Sequence, residues 1–216
     1  FPKSEPIVNL SVIEHIDHGE FETKGPVYMG EKVFTQLALN REETFKYSVS
    51  TVRRGRSQGA LCIMQIWPPT YKDTRRIYPK VRLPLSARDG ACGSHKSAVM
   101  VAYLVLDSKL SEMPDDFREK FLSDPDTYFI YLAAAYNGGG ARARSLYNSM
   151  KPEKLDETLK DFYSVFRPRK GQFRSMKTET WIFIKKYMEI SKNFADLNDE
   201  QEELPQMEIL EPESRP

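Results

Sequence analysis

Three short segments of the sequence carry side chains that suit the chemistry of sugars. Glu42 and Glu43 close a segment with helical spacing, Gln65 lies in a mostly apolar run, and Tyr136-Asn137 stand before three glycines. A carboxylic acid whose pKa is raised by an apolar surrounding can protonate the leaving oxygen of a glycosidic bond. Amide and phenol groups can hydrogen-bond sugar hydroxyl and N-acetyl groups. The chemistry open to these residue types is therefore proton donation by an acid, with polar groups that bind the substrate.

The second and third segments resemble a known signature. They read Gly59-Ala60-Leu61-Cys62-Ile63-Met64-Gln65-Ile66-Trp67-Pro68-Pro69-Thr70 and Ala134-Ala135-Tyr136-Asn137-Gly138-Gly139-Gly140. Together they resemble the paired segments of the lytic transglycosylase (SLT-type) and goose-type lysozyme superfamily. The resemblance implies a mainly α (α+β lysozyme-like) fold, with helices around a glycan groove and a small extended β patch. It also implies an enzyme that cuts the β-1,4 bond between MurNAc and GlcNAc in bacterial peptidoglycan.

The resemblance also implies roles for particular residues. Glu43, followed by Thr44, best matches the family's catalytic Glu-Ser pair and is the expected general acid, although the end of a solvated helix has the same pattern. The interval from Glu43 to Gln65 is longer than in bacterial transglycosylases and is like that of goose-type lysozymes. The expected substrate-binding residues are Ser57, Met64, Gln65, Tyr136, Asn137 and Glu179. For Glu179, a surface turn at the start of a helix is an equal alternative.

The distribution of acids bears on the type of reaction. Hydrolysis needs a second carboxylate, as nucleophile or to activate water. Residues 44–72 contain no Asp or Glu, and the next acids are Asp73 and Asp89. We therefore expect a lytic transglycosylase with a single catalytic Glu. The alternatives are a hydrolytic goose-type muramidase, including one selective for de-N-acetylated peptidoglycan, and a catalytically inactive module that binds the cell wall.

Cys62 is the clearest departure from the family pattern, which has glycine at this position. A side chain here would narrow the groove unless it is tied away by a bond to Cys92, the other of the two cysteines. Sequence alone leaves open whether the two form a disulfide or are small buried residues.

His15 and His18 could belong to a metal site, but the spacing of the sequence indicates no third ligand for a metal ion. We therefore favour a polar surface turn for these two residues. We expect no metal and no cofactor.

Hydrophobic periodicity predicts the elements that position these residues. Helices are expected near residues 31–45, 94–110, 115–122, 126–136, 141–150, 152–166 and 175–192, with extended structure at 47–57 and a loop at 75–93. Ser94 or Ser97 is the expected cap of the helix at 94–110. The glycines at 138–140 are expected to end the helix that carries Tyr136. The expected organisation is an N-terminal arm (1–26), a lysozyme-like catalytic domain (27–193) and an acidic, Pro-rich tail (194–216).

Composition limits the possible partners. The chain has 216 residues and a net charge of +1, which gives no overall attraction to nucleic acid. No stretch is long and apolar enough to suggest a membrane span. The expected partner is the glycan strand of peptidoglycan, bound by a monomer that acts in the periplasm or after secretion.

Overall fold

The fold is built from α-helices. The computed structural model describes residues 5–40, 45, 59–160 and 178–202. The helices in these ranges are α1 (Glu5–Ile13), α2 (His18–Asn40), α3 (Pro68–Ile77), α4 (Ala87–Cys92), α5 (His95–Ser111), α6 (Asp115–Ser123), α7 (Pro125–Gly138), α8 (Gly140–Ser149), α9 (Pro152–Lys160) and α10 (Thr178–Glu202). The prediction of a mainly α protein is confirmed.

Extended structure is scarce in the described ranges. It consists there of a single antiparallel bridge between Leu61 and Ile66. The extended segment predicted at 47–57 lies outside the described residues. The loop predicted at 75–93 instead contains the end of α3, a 3-10 turn at Pro79–Val81 and the short helix α4.

Helix α7 is the centre of the core. Every residue from Phe129 to Ala135 is buried, and the helix packs against α5, α6, α8 and α10. Ala133, Ala134 and Ala135 are fully buried, and their small side chains let neighbouring helices approach closely. The second motif segment is therefore the C-terminal end of the most enclosed helix.

Side-chain caps begin two of the predicted helices. The Ser94 hydroxyl accepts the N–H of Ser97 at 3.0 Å at the start of α5, and Asp124 accepts the N–H of Thr127 at 3.2 Å at the start of α7. Each cap satisfies a backbone donor that has no partner within the helix. Of the two serines that the sequence offered as a cap of α5, Ser94 takes this position.

The N-terminal segment, expected as an arm or a short helix lying on the domain, begins with the helix α1. Ile7, Leu10, Val12 and Ile13 of α1 are buried, and α1 packs against α2, α5, α7 and α10. Helix α2 then begins at His18, earlier than predicted, and is interrupted at Gly25, where φ is 81°. The first helix is part of the core because long-range partners cover its apolar side chains.

Helix α10 also extends beyond the predicted boundary. Trp181, Ile184 and Ile190 are buried, and the helix continues through Glu202, into the region expected to be a tail. In the described parts of the chain, no helix is both long and apolar enough to cross a membrane.

Candidate functional site

The first motif segment forms a tight turn. Leu61 and Ile66 exchange two backbone hydrogen bonds of 3.0 Å, and the Gln65 side-chain amide donates to the Cys62 carbonyl at 2.7 Å. Cys62 and Gln65 have φ angles of 61° and 45°, in the left-handed region. Glycine adopts this conformation without strain, which gives a backbone reason for the family's glycine at the position of Cys62.

A disulfide holds this turn. Cys62 is bonded to Cys92 at the end of α4, with their Cα atoms 5.5 Å apart, and both residues are buried. The disulfide left open by the sequence is therefore present. The Cys62 side chain is thus tied away by a bond to Cys92, which is one of the two alternatives that the sequence left open.

One hydrogen bond joins the two motif segments. The Tyr136 hydroxyl donates to the Met64 carbonyl at 2.6 Å, across 72 positions of the chain. Burial raises the pKa of Tyr136 well above its ordinary value, so the phenol stays neutral and keeps the proton for this bond. The end of α7 thus fixes the turn that carries Gln65.

Residues of both segments line one open cavity of about 290 Å³. Gln65, Trp67, Tyr136 and Asn137 are among its lining residues, with Lys109 of α5 on another wall. This volume is near the lower end of the range for small-molecule sites, roughly 300–1,000 Å³. The cavity is therefore large enough to take a small ligand or one unit of a longer one.

The predicted site residues divide into four groups. Gln65, Tyr136 and Asn137 meet at the cavity. The Met64 side chain is fully buried in the core, so it is the Met64 carbonyl, and not the side chain, that serves the site. Glu179 is exposed in the first turn of α10. Glu43 and Ser57 lie outside the described residues.

The three residues that follow Asn137 are glycines, two because a side chain would have no room and one because of its backbone conformation. A Cβ on Gly138 would come within 2.8 Å of the Thr180 hydroxyl, and one on Gly140 would meet the Glu112 carboxylate. Gly139 has φ 87° and ψ 154°, a conformation found almost only in glycine. The predicted end of α7 at these glycines is confirmed, and α8 restarts directly after the break.

A carboxyl group that no motif of the sequence marks, that of Glu14, acts electrostatically on Tyr136. Glu14 follows the last residue of α1, and its N–H donates to the Leu10 carbonyl at 3.2 Å. Burial raises the pKa of Glu14 to about 8, Lys186 opposes the shift, and the charge of Glu179 adds to it. The charge of Glu14 in turn contributes to the raised pKa of Tyr136, so the two side chains are within electrostatic reach.

Hydrogen bonds on both sides of Glu14 hold it in place. The His15 imidazole Nε2 lies 3.0 Å from the Ile63 carbonyl, and Lys186 donates to the Ile16 carbonyl at 2.6 Å. Burial lowers the pKa of His15 to about 4, so the ring is neutral and Nε2 carries the donated hydrogen. His15 and Tyr136 therefore bind the consecutive carbonyls of Ile63 and Met64, which connects the end of α1 to the motif turn.

Phe45 completes this neighbourhood. Its ring stacks on His15 with the centroids 3.9 Å apart. The Phe45 ring therefore lies beside the residue next to Glu14. The sequence signal for Glu14 is the spacing of Ile7, Leu10 and Ile13, which places an apolar helical face directly before an acid.

Comparisons with known proteins identify no relative. No protein-family model matches the chain, and neither curated proteins nor solved structures give a match. Within the described ranges, no group of three or more His, Cys, Asp or Glu side chains is arranged to hold a metal ion. The site is thus defined by its own geometry.

Proposed function

We propose that this protein cleaves the β-1,4 bond between MurNAc and GlcNAc in bacterial peptidoglycan as a lytic transglycosylase of lysozyme-like fold. One observation carries the proposal: two motif segments distant in sequence are joined by the Tyr136–Met64 hydrogen bond and line one open cavity. In this proposal, Gln65 and Asn137, which line the cavity, bind the sugar. The substrate is the glycan strand, and the protein acts on it as an exported, periplasmic or secreted, monomer.

Glu14 is the described acid whose pKa suits a proton donor, and its charge acts on Tyr136, although Glu14 is not itself among the residues that line the cavity. A pKa of about 8 keeps its carboxyl protonated at neutral pH, as a general acid requires. Its position is fixed on both sides by the bonds of His15 and of Lys186. Glu43, the acid expected from the resemblance, remains a prediction, and the two candidates can be tested against each other.

The reaction uses one carboxyl group twice. The catalytic acid, Glu14 or Glu43, donates its proton to the glycosidic oxygen as the bond from that oxygen to C1 of the muramic acid breaks. The C6 hydroxyl oxygen of the same muramic acid then bonds to C1, and its proton passes to the carboxylate of the same Glu. The products are a free hydroxyl on the leaving sugar and a 1,6-anhydro end, and the Glu is restored to its acid form.

Glu179 gives the hydrolytic alternative its support. Its charge acts on Glu14, so a second carboxylate is within electrostatic reach of the proposed acid. A glycosidase that uses water needs such a second group. Hydrolysis would leave a reducing end where transglycosylation leaves an anhydro end.

The deciding experiment is digestion of purified sacculi, with the products read by mass spectrometry. The wild type should release anhydro-muropeptides, and Glu14→Gln should reduce the rate by about 10²–10⁴-fold, the usual contribution of general acid catalysis. Glu119→Gln, an exposed glutamate of α6, is the matched control and should leave the rate unchanged. Circular dichroism should show that each variant is folded.

The other outcomes are equally informative. Loss of activity in Glu43→Gln with normal activity in Glu14→Gln would make Glu43 the acid. Reducing-end products would establish the muramidase alternative. If the wild type binds sacculi but releases nothing from them, the chain is a wall-binding module and the enzymatic proposal is wrong.

A further inference from the structure

Lys109 brings a cation to the wall of the cavity. It lies near the C-terminal end of α5 and lines the cavity together with Trp67 and Asn137. Its side chain is 23% exposed, and Nζ lies 2.7 Å from the Glu112 carboxylate. An ammonium has three N–H donors, so the bond to Glu112 leaves it able to donate to a bound ligand.

Glu112 is held in a position where it can orient Lys109. Its backbone carbonyl accepts a hydrogen bond from Arg144 at 2.8 Å. Its carboxylate packs against Gly140, in space that a Cβ would fill. Arg142 donates to the Gly138 carbonyl at 2.9 Å on the same side. Lys109 thus brings a cation to the wall of the cavity, and Arg142 contacts the backbone of Gly138, which also lines it.

Trp67 supplies a flat apolar surface next to this charge. It is 57% exposed, although large aromatic side chains are usually well covered. Its backbone is extended, with φ −68° and ψ 134°, and Pro68 and Pro69 follow in the first turn of α3. Because both prolines restrict the backbone, the indole is displayed from a rigid position between Gln65 and α3.

We propose that this end of the cavity is a subsite for a sugar unit that bears a carboxylate. The indole of Trp67 stacks on the apolar face of the sugar ring, and the Lys109 ammonium binds the carboxylate. In peptidoglycan, this carboxylate is either the lactyl group of a peptide-free muramic acid or a carboxylate of the stem peptide. The inference rests on the proposed function and adds to it the chemical feature by which the substrate is chosen.

The test is equilibrium binding of three disaccharides, followed by NMR chemical shifts. The first is GlcNAc–MurNAc with a free lactyl carboxylate, the second is the same disaccharide carrying a stem peptide, and the third is uncharged chitobiose. The first two lack the MurNAc–GlcNAc bond that the proposed reaction cuts, so they are not consumed. Lys109→Gln should weaken binding of a carboxylate-bearing disaccharide about tenfold and leave chitobiose unchanged.

Matched variants separate charge from stacking. Trp67→Ala should weaken binding of all three disaccharides, because each has a sugar ring to stack. Lys96→Gln removes a cation from the other end of α5, where the side chain is exposed, and should change nothing. High salt should reproduce the selective effect of Lys109→Gln, since it screens the ion pair. Thermal melting should confirm that the variants are folded.

The results identify the source of the carboxylate. A selective effect of Lys109→Gln on the peptide-free disaccharide assigns the subsite to the lactyl group, and an effect confined to the peptide-bearing one assigns it to the stem peptide. Equal weakening of chitobiose, or no effect on any disaccharide, would overturn the subsite. If sacculi are still cleaved in that case, the proposed function stands, whereas a wild type that neither binds glycans nor cleaves sacculi removes both.

Discussion

Tyr136 combines a structural and a functional role in one hydroxyl group. It donates to the Met64 carbonyl at 2.6 Å and also lines the cavity. Tyr136→Phe would leave that carbonyl without its donor in a buried place, which costs about 1–3 kcal/mol. We expect the free energy of unfolding, measured with urea, to fall by this amount. We also expect cleavage of sacculi to slow, because the turn that carries Gln65 is no longer fixed.

Tyr131→Phe is the matched control for this prediction. Its hydroxyl also donates to a backbone carbonyl, that of Met150, at 2.8 Å, but it does not line the cavity. Both variants should therefore lose stability, and only Tyr136→Phe should lose activity beyond its loss of stability. Equal activity in the two variants would show that the Tyr136 bond serves the fold alone.

The residues of the site could be predicted from sequence only in part. Gln65, Tyr136 and Asn137 stand in recognisable segments, and the structure brings them to one cavity. Glu14 stands in no such segment, since its surroundings are created by Lys186 and Tyr136 from distant helices. A raised pKa is a property of the folded surroundings of a group, so sequence spacing alone does not reveal it.

At the scale of elements, the disulfide secures the turn 61–66 that carries half of the site. It closes a loop across 30 positions, between Cys62 and Cys92. The chain-entropy relation gives roughly 3–4 kcal/mol of stabilisation for such a loop. We expect the double variant Cys62→Ser, Cys92→Ser to lose about this free energy of unfolding in urea and to cleave sacculi more slowly.

Reductant provides the control for the disulfide. Both cysteines are buried, so reduction of the wild type should require partial unfolding and should be slow. Dithiothreitol should lower the stability of the wild type toward that of the double variant and should not affect the variant itself. Wild-type stability that stays unchanged after complete reduction, verified by thiol titration, would contradict the prediction.

Helices with local signals were predictable, and helices that depend on distant partners were less so. For α5 and α7, the caps at Ser94 and Asp124 and the glycines after α7 mark the ends in sequence. The helix α1 lies in the region 1–26 that was expected to be an arm, and α7 and α10 pack against it. Proline and glycine in the sequence indicate where a helix can end. Whether the helix is buried depends on which other elements pack against it in the folded chain.

At the scale of the whole molecule, two buried groups make stability depend on pH in opposite directions. Burial holds the pKa of Glu14 at about 8, against an ordinary 4.5, so the folded chain keeps a proton that the unfolded chain releases. This contribution to stability is complete below pH 4.5 and is lost as the pH rises to about 8. His15, with a pKa of about 4 against 6.5, gives stability that is present above pH 6.5 and lost toward pH 4.

Between pH 4.5 and 6.5, Glu14 and His15 change the free energy of unfolding in opposite directions as the pH rises. Between pH 6.5 and 8, the contribution of Glu14 is no longer opposed by that of His15. We therefore expect the free energy of unfolding of the wild type to fall across the upper window, with a slope of up to about 1.4 kcal/mol per pH unit. Glu14→Gln should remove this slope, because glutamine has no proton to release, whereas Glu119→Gln should keep it. Urea titrations at several pH values measure the slope directly. The same slope in Glu14→Gln and the wild type would mean that Glu14 is not the buried acid, and its proposed role as proton donor would lose its physical basis.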